Sequence, residues 1–359
     1  MASFTDIFLD VTKDGHKIPR ENYLPQGKYP IIDQGQEYIA GYSNEASGLY
    51  KNVPAIIFGD HTRIVKYVDT PCFLGADGVK LLKAKAPDAN TKYLYYALSH
   101  ARIPNTGYNR HFKWLKEVNI RLPEKNEQQH IVSVLDILTG LISLRKQQLA
   151  KLDELIKARF IEMFGDPVEN DKNWPVQPLI CLGELNRGVS KARPRNSPDL
   201  LGGKYPLIQT GEVANAGTYI TTYESTYSEK GLLQSKMWPK GTLCITIAAN
   251  IAQTAILAFD ACFPDSVVGF VAGTKTNAFF IHFWFKFFQK ILEEQAPQVA
   301  QKNINLKILS GLQVIVPPLA LQTQFAAFVE ATEKSKMAVK KSLEKLETLK
   351  KSLMQEYFM

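Results

Sequence analysis

Two stretches of the chain carry the same hydrophobic rhythm. In 124–164, Ile131, Leu135, Leu138, Ile142, Leu149, Leu152, Ile156, Phe160 and Met163 fall at steps of three and four, with Arg145 filling one slot. That spacing predicts an amphipathic helix with a narrow seam suited to coiled-coil packing. The closing segment repeats it with Phe325, Val329, Val339, Leu343, Leu346, Met354 and Tyr357. The two seams superpose at a constant offset of 194 residues, the separation of Pro123 from Pro317, so that Leu149 matches Leu343, Leu152 matches Leu346 and Phe164 matches Phe358. A helix of that length spans about 60 Å, which suits a spacer better than an ordinary globular helix. Only Gly140 interrupts the first seam, and a bend or a close contact is expected there. Gly165 and Pro167 then stop the helix, the glycine as C-cap and the proline as a residue that cannot continue it.

The segments before the helices read as short strands, and they repeat as well. "GKYP" stands at 27–30 and again at 203–206. An apolar run follows in each half, "VPAIIFGD" (53–60) and "KGTLCITIAAN" (240–250), and then a Cys-Phe pair, Cys72-Phe73 and Cys262-Phe263. Aromatic helical segments come next, 91–103 and 276–292, followed by Leu-Lys steps and strands ending at Pro123 and Pro317. The same landmarks in the same order make an internal duplication. The expected fold class is α+β: two mixed, strand-rich globular units and two long antiparallel coiled-coil helices. The expected boundaries are 1–122, 123–164, 165–316 and 317–359. Two helices separated by a whole unit pair most simply antiparallel.

Composition changes the picture in three ways. Mean hydropathy of −0.16 and 45% hydrophobic residues over 359 positions are those of a chain able to bury real cores, with length favouring about two to three domains. Four cysteines stand far apart without a C-x-x-C pair, so a disulfide framework or zinc site is not expected and a reducing cytoplasm is. The apolar run 278–288 is too short to span a bilayer and carries His282 and Lys286; a buried helix is expected, with His282 in the core and no membrane partner. A formal net charge of +8 favours a polyanionic partner, without choosing among nucleic acid, acidic lipid and acidic protein.

Taken together, the duplication, the "GKYP" turns, the proline-then-glutamine helix starts ("LPEKNEQQHIV" and "VPPLALQTQFAAF") and the "MFGDP…NW" junction at 163–174 resemble the specificity subunits of type I restriction-modification enzymes over essentially the whole chain. The resemblance implies two target-recognition domains, each reading half of a split site in double-stranded DNA. It implies paired helices that fix the spacing and carry methyltransferase subunits, with restriction subunits docking on the complex. S-adenosylmethionine, ATP and Mg would then belong to those partners, and this chain would hold no cofactor or metal. One departure is visible: "MASFTDIFLD" lacks the Trp-containing lead-in of the second unit, "NWPVQPL", so the first recognition unit is expected to be slightly trimmed.

Residue chemistry supplies candidates for the DNA contacts, since cations neutralise phosphates while amides and arginine forks read base edges. In the first unit they are Lys28, His61, Arg63 and Lys66, and, within "YNRHFKW" (108–114), Asn109, Arg110, His111 and Lys113. In the second they are Arg187, Lys191, Arg193 and Arg195 of "NRGVSKARPRN", then Lys204, Gln209, Thr210, Lys302 and Asn303. The helix-helix seam is assigned to Leu135, Leu149, Leu152, Ile156, Leu343, Leu346 and Met354. Each has a plainer reading: basic loops are commonly just solvated, Asn250 and Gln253 suit satisfied buried amides, and the helix lysines Lys334, Lys336, Lys340, Lys341, Lys350 and Lys351 suit a solvated face. Enzyme signatures fail. "GTKT" lacks the phosphate-loop glycines, "VPP" lacks the tetrad of adenine methyltransferases, and "FPDS" (263–266) lacks a partner carboxylate and lysine for a nuclease. The chain is expected to do no chemistry itself. The competing function is a non-catalytic interaction scaffold with RNA- or protein-binding heads.

Overall fold

The structure, a computed structural model, describes residues 1–75, 78–85, 89–107, 109–248, 252–295 and 304–359. The chain forms two compact units, one from residues 1–147 with 339–359 and one from 148–338. Each long helix therefore contributes one half to either unit. The helices run Lys125–Phe164 and Leu319–Phe358, forty residues each.

The two units repeat one strand plan. In the first, Phe8–Asp10, Val79–Ala84, Ala55–Gly59 and Val65–Val68 form an antiparallel sheet in that order. In the second, Gly183–Arg187, Val267–Ala272, Leu243–Thr246 and Thr254–Leu257 do the same, and Tyr219–Ile220 adds a parallel edge. The first "GKYP" runs into a strand and the second lies within one, and the two strands have the same two kinds of neighbour. Tyr29–Ile32 pairs antiparallel with Gly41–Ser43 and parallel with Phe73–Leu74; Leu201–Leu207 pairs antiparallel with Ser225–Tyr227 and parallel with Ala261–Cys262. A two-stranded ladder closes each unit, Ala2–Ser3 on Asn119–Ile120 and Val176–Pro178 on Gln313–Ile315. The N-terminal residues thus occupy the place of the second lead-in strand without its tryptophan.

Burial along the helices follows the seam. Between residues 141 and 155 of the first helix, only Ile142, Arg145, Leu149 and Leu152 escape full exposure, which is the three-four step of a heptad. Within the first unit, Ile131, Val132 and Leu135 share a core with Met354, and Lys146 pairs with Glu347 at 3.1 Å. The first sequence segment advances while the second recedes, so the halves are antiparallel. The second unit repeats this: Phe160 and Phe164 each lie 5.5 Å from Phe325 by ring centroid, in edge contact, and Lys336 reaches Asp153 at 2.7 Å. Phe280 joins the same aromatic core, and each such buried ring contributes about 1.5–3 kcal/mol. The aromatic helix Ala278–Gln295 buries Phe280, Ile281, Phe283, Trp284 and Phe285 against the sheet, with His282 among them. Among the described residues, no helix is long and apolar enough to cross a membrane.

Three sequence expectations are modified. Gly140 leaves the helix unbroken and makes no close contact among the described residues, since an added Cβ would find nothing within 4 Å. Lys336 belongs to the seam rather than to a solvated face: it is 8% exposed and holds Asp153 and Glu333. Lys350 likewise occupies a seam position and is only partly exposed. Both stand at heptad spacing from seam residues, Lys336 seven after Val329 and Lys350 four after Leu346; Asp153 and Glu333 compensate the Lys336 charge, and Lys350 Nζ lies 5.9 Å over the Tyr96 ring. Gly165 ends the first helix as expected, at φ +76 with its N–H on the Ile161 carbonyl.

Candidate nucleic-acid interface

A loop of "NRGVSKARPRN" composition needs something to hold it, because four cations repel one another and its apolar content is small, Ala192 packing at the edge of a core. Gly188 provides the anchor. A Cβ there would sit 2.3 Å from the carbonyl oxygens of both Phe263 and Pro264, so only glycine admits so close a backbone approach. Two main-chain hydrogen bonds exploit it, Gly188 N–H to Val267 O at 2.8 Å and Val189 N–H to Phe263 O at 3.1 Å. The loop is thereby laid against the turn 263–266, which ends in the strand Val267–Ala272.

That turn presents Asp265. Arg195 Nη2 lies 2.6 Å from one carboxylate oxygen and 2.9 Å from the other. Arg193 Nη2 stands 3.7 Å away, while its Nη1 donates to the carbonyls of Ser190 and Ala192 at 2.7 and 2.8 Å. Arg187 Nε donates to the Asp265 carbonyl at 3.0 Å. Three candidate arginines, all exposed, are gathered round one acidic residue. Lys191 lies exposed in the same loop, its backbone N–H on the Gln234 carbonyl.

The other candidates of the second unit are placed elsewhere on it. Lys204 is exposed and pairs with Glu229 at 3.1 Å, which raises its pKa above the usual lysine value, Tyr205 adding to the effect. Gln209 and Thr210 open the short helix Thr210–Asn215, where Glu212 caps the Gln209 N–H at 3.2 Å. Lys302, Asn303 and Asn250 lie outside the described residues.

In the first unit, the structure divides the candidates into outward and inward groups. Asn109, Arg110 and Lys113 are exposed, and Lys113 lies over the Trp114 ring at 4.8 Å. Lys28 is exposed, lying 5.3 Å over Tyr29. His111 is fully buried instead: its N–H donates to the Asp60 carbonyl at 2.8 Å, and its Nδ1 lies 3.0 Å from that same oxygen. Asp60 also accepts from Phe112 N–H at 2.7 Å, so the pair pins the base of the exposed loop. Lys66 is 5% exposed and donates to the Glu37 carbonyl at 2.5 Å. Burial pulls its pKa down, with Asp33 opposing. Arg63 takes a left-handed φ of 63° and donates to the Ile103 carbonyl at 3.2 Å, steadying the loop from the other side. His61 sits half-buried in the same turn, its N–H on Gln34.

Sequence reasoning missed two features. Asp265 was weighed only as a nuclease carboxylate, and Arg102 and Asn105, exposed in the loop before "YNRHFKW", were passed over. The signal for the first was the lone glycine in "NRGVS", a mark of close backbone approach. Among the described residues no cluster of His, Cys, Asp and Glu could hold a metal ion.

Two repeated strand-rich heads, each carrying an exposed cationic loop and each packed on half of a long helix pair, make up a duplicated architecture. A family model described as the type I restriction modification DNA specificity domain matches residues 4–154 and 176–350, and the chain belongs to that family. The specificity subunit of the Escherichia coli type I restriction enzyme EcoR124I/EcoR124II is 25% identical over 67% of this chain, which spans 61% of that relative's length. A putative type I restriction enzyme MjaX specificity subunit from Methanocaldococcus jannaschii is 23% identical, covering 95% of this chain and 86% of its own. Among solved structures, the S subunit of a type I restriction-modification system from M. genitalium has the same fold, at 18% identity with a TM-score of 0.63 over 99% of this chain and 95% of that one.

Proposed function

We propose that this chain reads a bipartite sequence in double-stranded DNA, one half-site per head, with a stretch of unread base pairs between. The observation that carries the reading is the duplication itself. Two copies of one strand plan, each with its own exposed cationic loop, suit two independent short readings. In this reading Arg187, Lys191, Arg193 and Arg195 serve the second half-site, and Asn109, Arg110 and Lys113 the first. Lys28 and Lys204 supply phosphate contacts, with Gln209 and Thr210 available to base edges. Lys66 and His111 hold the loops that do so. The paired helices carry methyltransferase subunits, on which restriction subunits assemble, and S-adenosylmethionine, ATP and Mg belong to those partners. The expected boundaries at 122, 164 and 316 remain the proposed limits of heads and spacers, with the cytoplasm as the place of action.

Sequencing the methylated bases of the host with and without this gene tests the reading. A split motif should vanish with the gene, and transplanting the second head alone should change only one half of it. Purified chain should show no methyl transfer, ATP hydrolysis or cleavage. Binding to RNA or protein with indifference to duplex DNA would favour an interaction scaffold instead.

A further inference from the structure

We infer that Asp265 is the positioning residue for the second half-site: it orders Arg187, Arg193 and Arg195 into one preset reading group, and so sets sequence discrimination without touching the bases. The inference rests on the DNA reading above, and deepens it by naming what aims the arginines.

The geometry argues for organisation over neutralisation. Arg195 spends a single nitrogen on both carboxylate oxygens, at 2.6 and 2.9 Å, so the pair does not draw on the rest of its five-donor fork. Arg187 is held by Nε alone, on the Asp265 carbonyl at 3.0 Å; its two terminal nitrogens, the pair that grips a guanine edge bidentately, remain as donors. Arg193 is fixed at both ends, by Ser190 and Ala192 carbonyls on one nitrogen and by the carboxylate at 3.7 Å on the other. An unheld arginine would lose most of its rotamer freedom on meeting DNA. Here much of that ordering is already done in the free protein, by a residue lying 70 positions from Arg195 and 78 from Arg187.

The ion pairs themselves are surface pairs, with side-chain exposures of 36% for Asp265 and 43% for Arg195, so they add little to folding stability. This separates the inference from a structural role. A carboxylate beside phosphates also opposes DNA binding in general. Removing it should therefore raise affinity for arbitrary duplex while lowering preference for the right one, a pair of opposite changes that unfolding cannot produce.

The test uses the full chain. Wild-type protein selects its sequence from a random duplex pool, and affinities for the selected duplex and for single-base changes in each half are measured across a salt series. For Asp265→Ala, the ratio between the selected duplex and a second-half change should fall about tenfold, within the range of a lost bidentate contact. Affinity for unrelated duplex should rise at low salt, and first-half ratios should hold. Asp265→Asn, nearly isosteric, serves if the alanine variant does not fold, and should lose several-fold of the same ratio. A folded variant with wild-type second-half ratios overturns the inference, as does a loss shared equally by both halves or by specific and arbitrary duplex alike. A wild-type chain that selects no sequence sinks the DNA reading itself, and the inference with it.

Discussion

Gln322 offers a perturbation whose size can be worked from contacts and checked against an internal duplicate. The side chain is fully buried and uses its whole hydrogen-bonding capacity. Its Nε2 donates to the carbonyls of Pro317 at 2.8 Å and Lys275 at 3.1 Å. Its Oε1 accepts from Thr276 Oγ1 at 2.9 Å and from Asn277 N–H at 3.1 Å. The start of the second long helix is thus fastened to the start of the aromatic helix. Gln128, at the equivalent place in the first half, makes a smaller bracket: Nε2 to the Pro123 carbonyl at 2.8 Å, and Oε1 from Asn90 N–H at 2.9 Å. Gln322→Met keeps the volume but strands three backbone groups, since the threonine hydroxyl can turn elsewhere. At about 1–3 kcal/mol per unmade buried group, the cost is roughly 3–9 kcal/mol, against roughly 2–6 kcal/mol for Gln128→Met with two groups stranded. A domain is stable by only about 5–15 kcal/mol, so the second unit should open measurably. Hydrogen exchange read peptide by peptide is the assay, because a chain of two units has no single unfolding free energy. Protection should fall in residues 148–338 for Gln322→Met, and in the first unit for Gln128→Met, by less. A Gln322→Met chain within about 0.5 kcal/mol of wild type, the ordinary scatter for surface changes, would refute the reasoning, as would the reverse order of the two costs.

Three further outcomes are expected. Burial lowers the Lys336 pKa, but the hydrogen-bonded carboxylates of Asp153 and Glu333 together outweigh it and the net shift is upward; its stabilisation is therefore complete below the ordinary lysine value and is lost as pH rises through the higher folded one. Lys336→Met should remove that alkaline decline in unfolding experiments, and an identical slope above pH ~10 would count against the ion pairs. Gly188→Ala forces a Cβ against two backbone carbonyls, so it should displace the arginine loop and weaken selection at the second half-site alone; equal weakening of both halves would point to general unfolding. Inserting four residues after both Lys151 and Lys345 adds about 6 Å to each helix, and at about 3.4 Å per base pair the unread gap in the methylated motif should lengthen by one to two base pairs. An unaltered gap would mean that helix length does not govern it.

The sequence by itself determined most of what is local or periodic. The duplication, the two long helices and the cap at Gly165 follow from side-chain spacing and backbone preference within a few residues. Even the brackets were half visible, since Gln128 and Gln322 each stand five positions after a proline. What only the tertiary structure decided is which polar residues face water. His111 and Lys66 have the composition of DNA contacts, yet they are buried, because Asp60, Glu37 and Asp33 satisfy them from 29 to 51 residues away. Lys336 enters the seam because Asp153 meets it there, across an entire head. Asp265 acquires its arginines only when two strands pair, Gly183–Arg187 against Val267–Ala272, and bring the turn before one beside the loop after the other. Burial of a charge depends on a partner, and a partner distant in sequence is placed by strand register and packing, which no local pattern encodes.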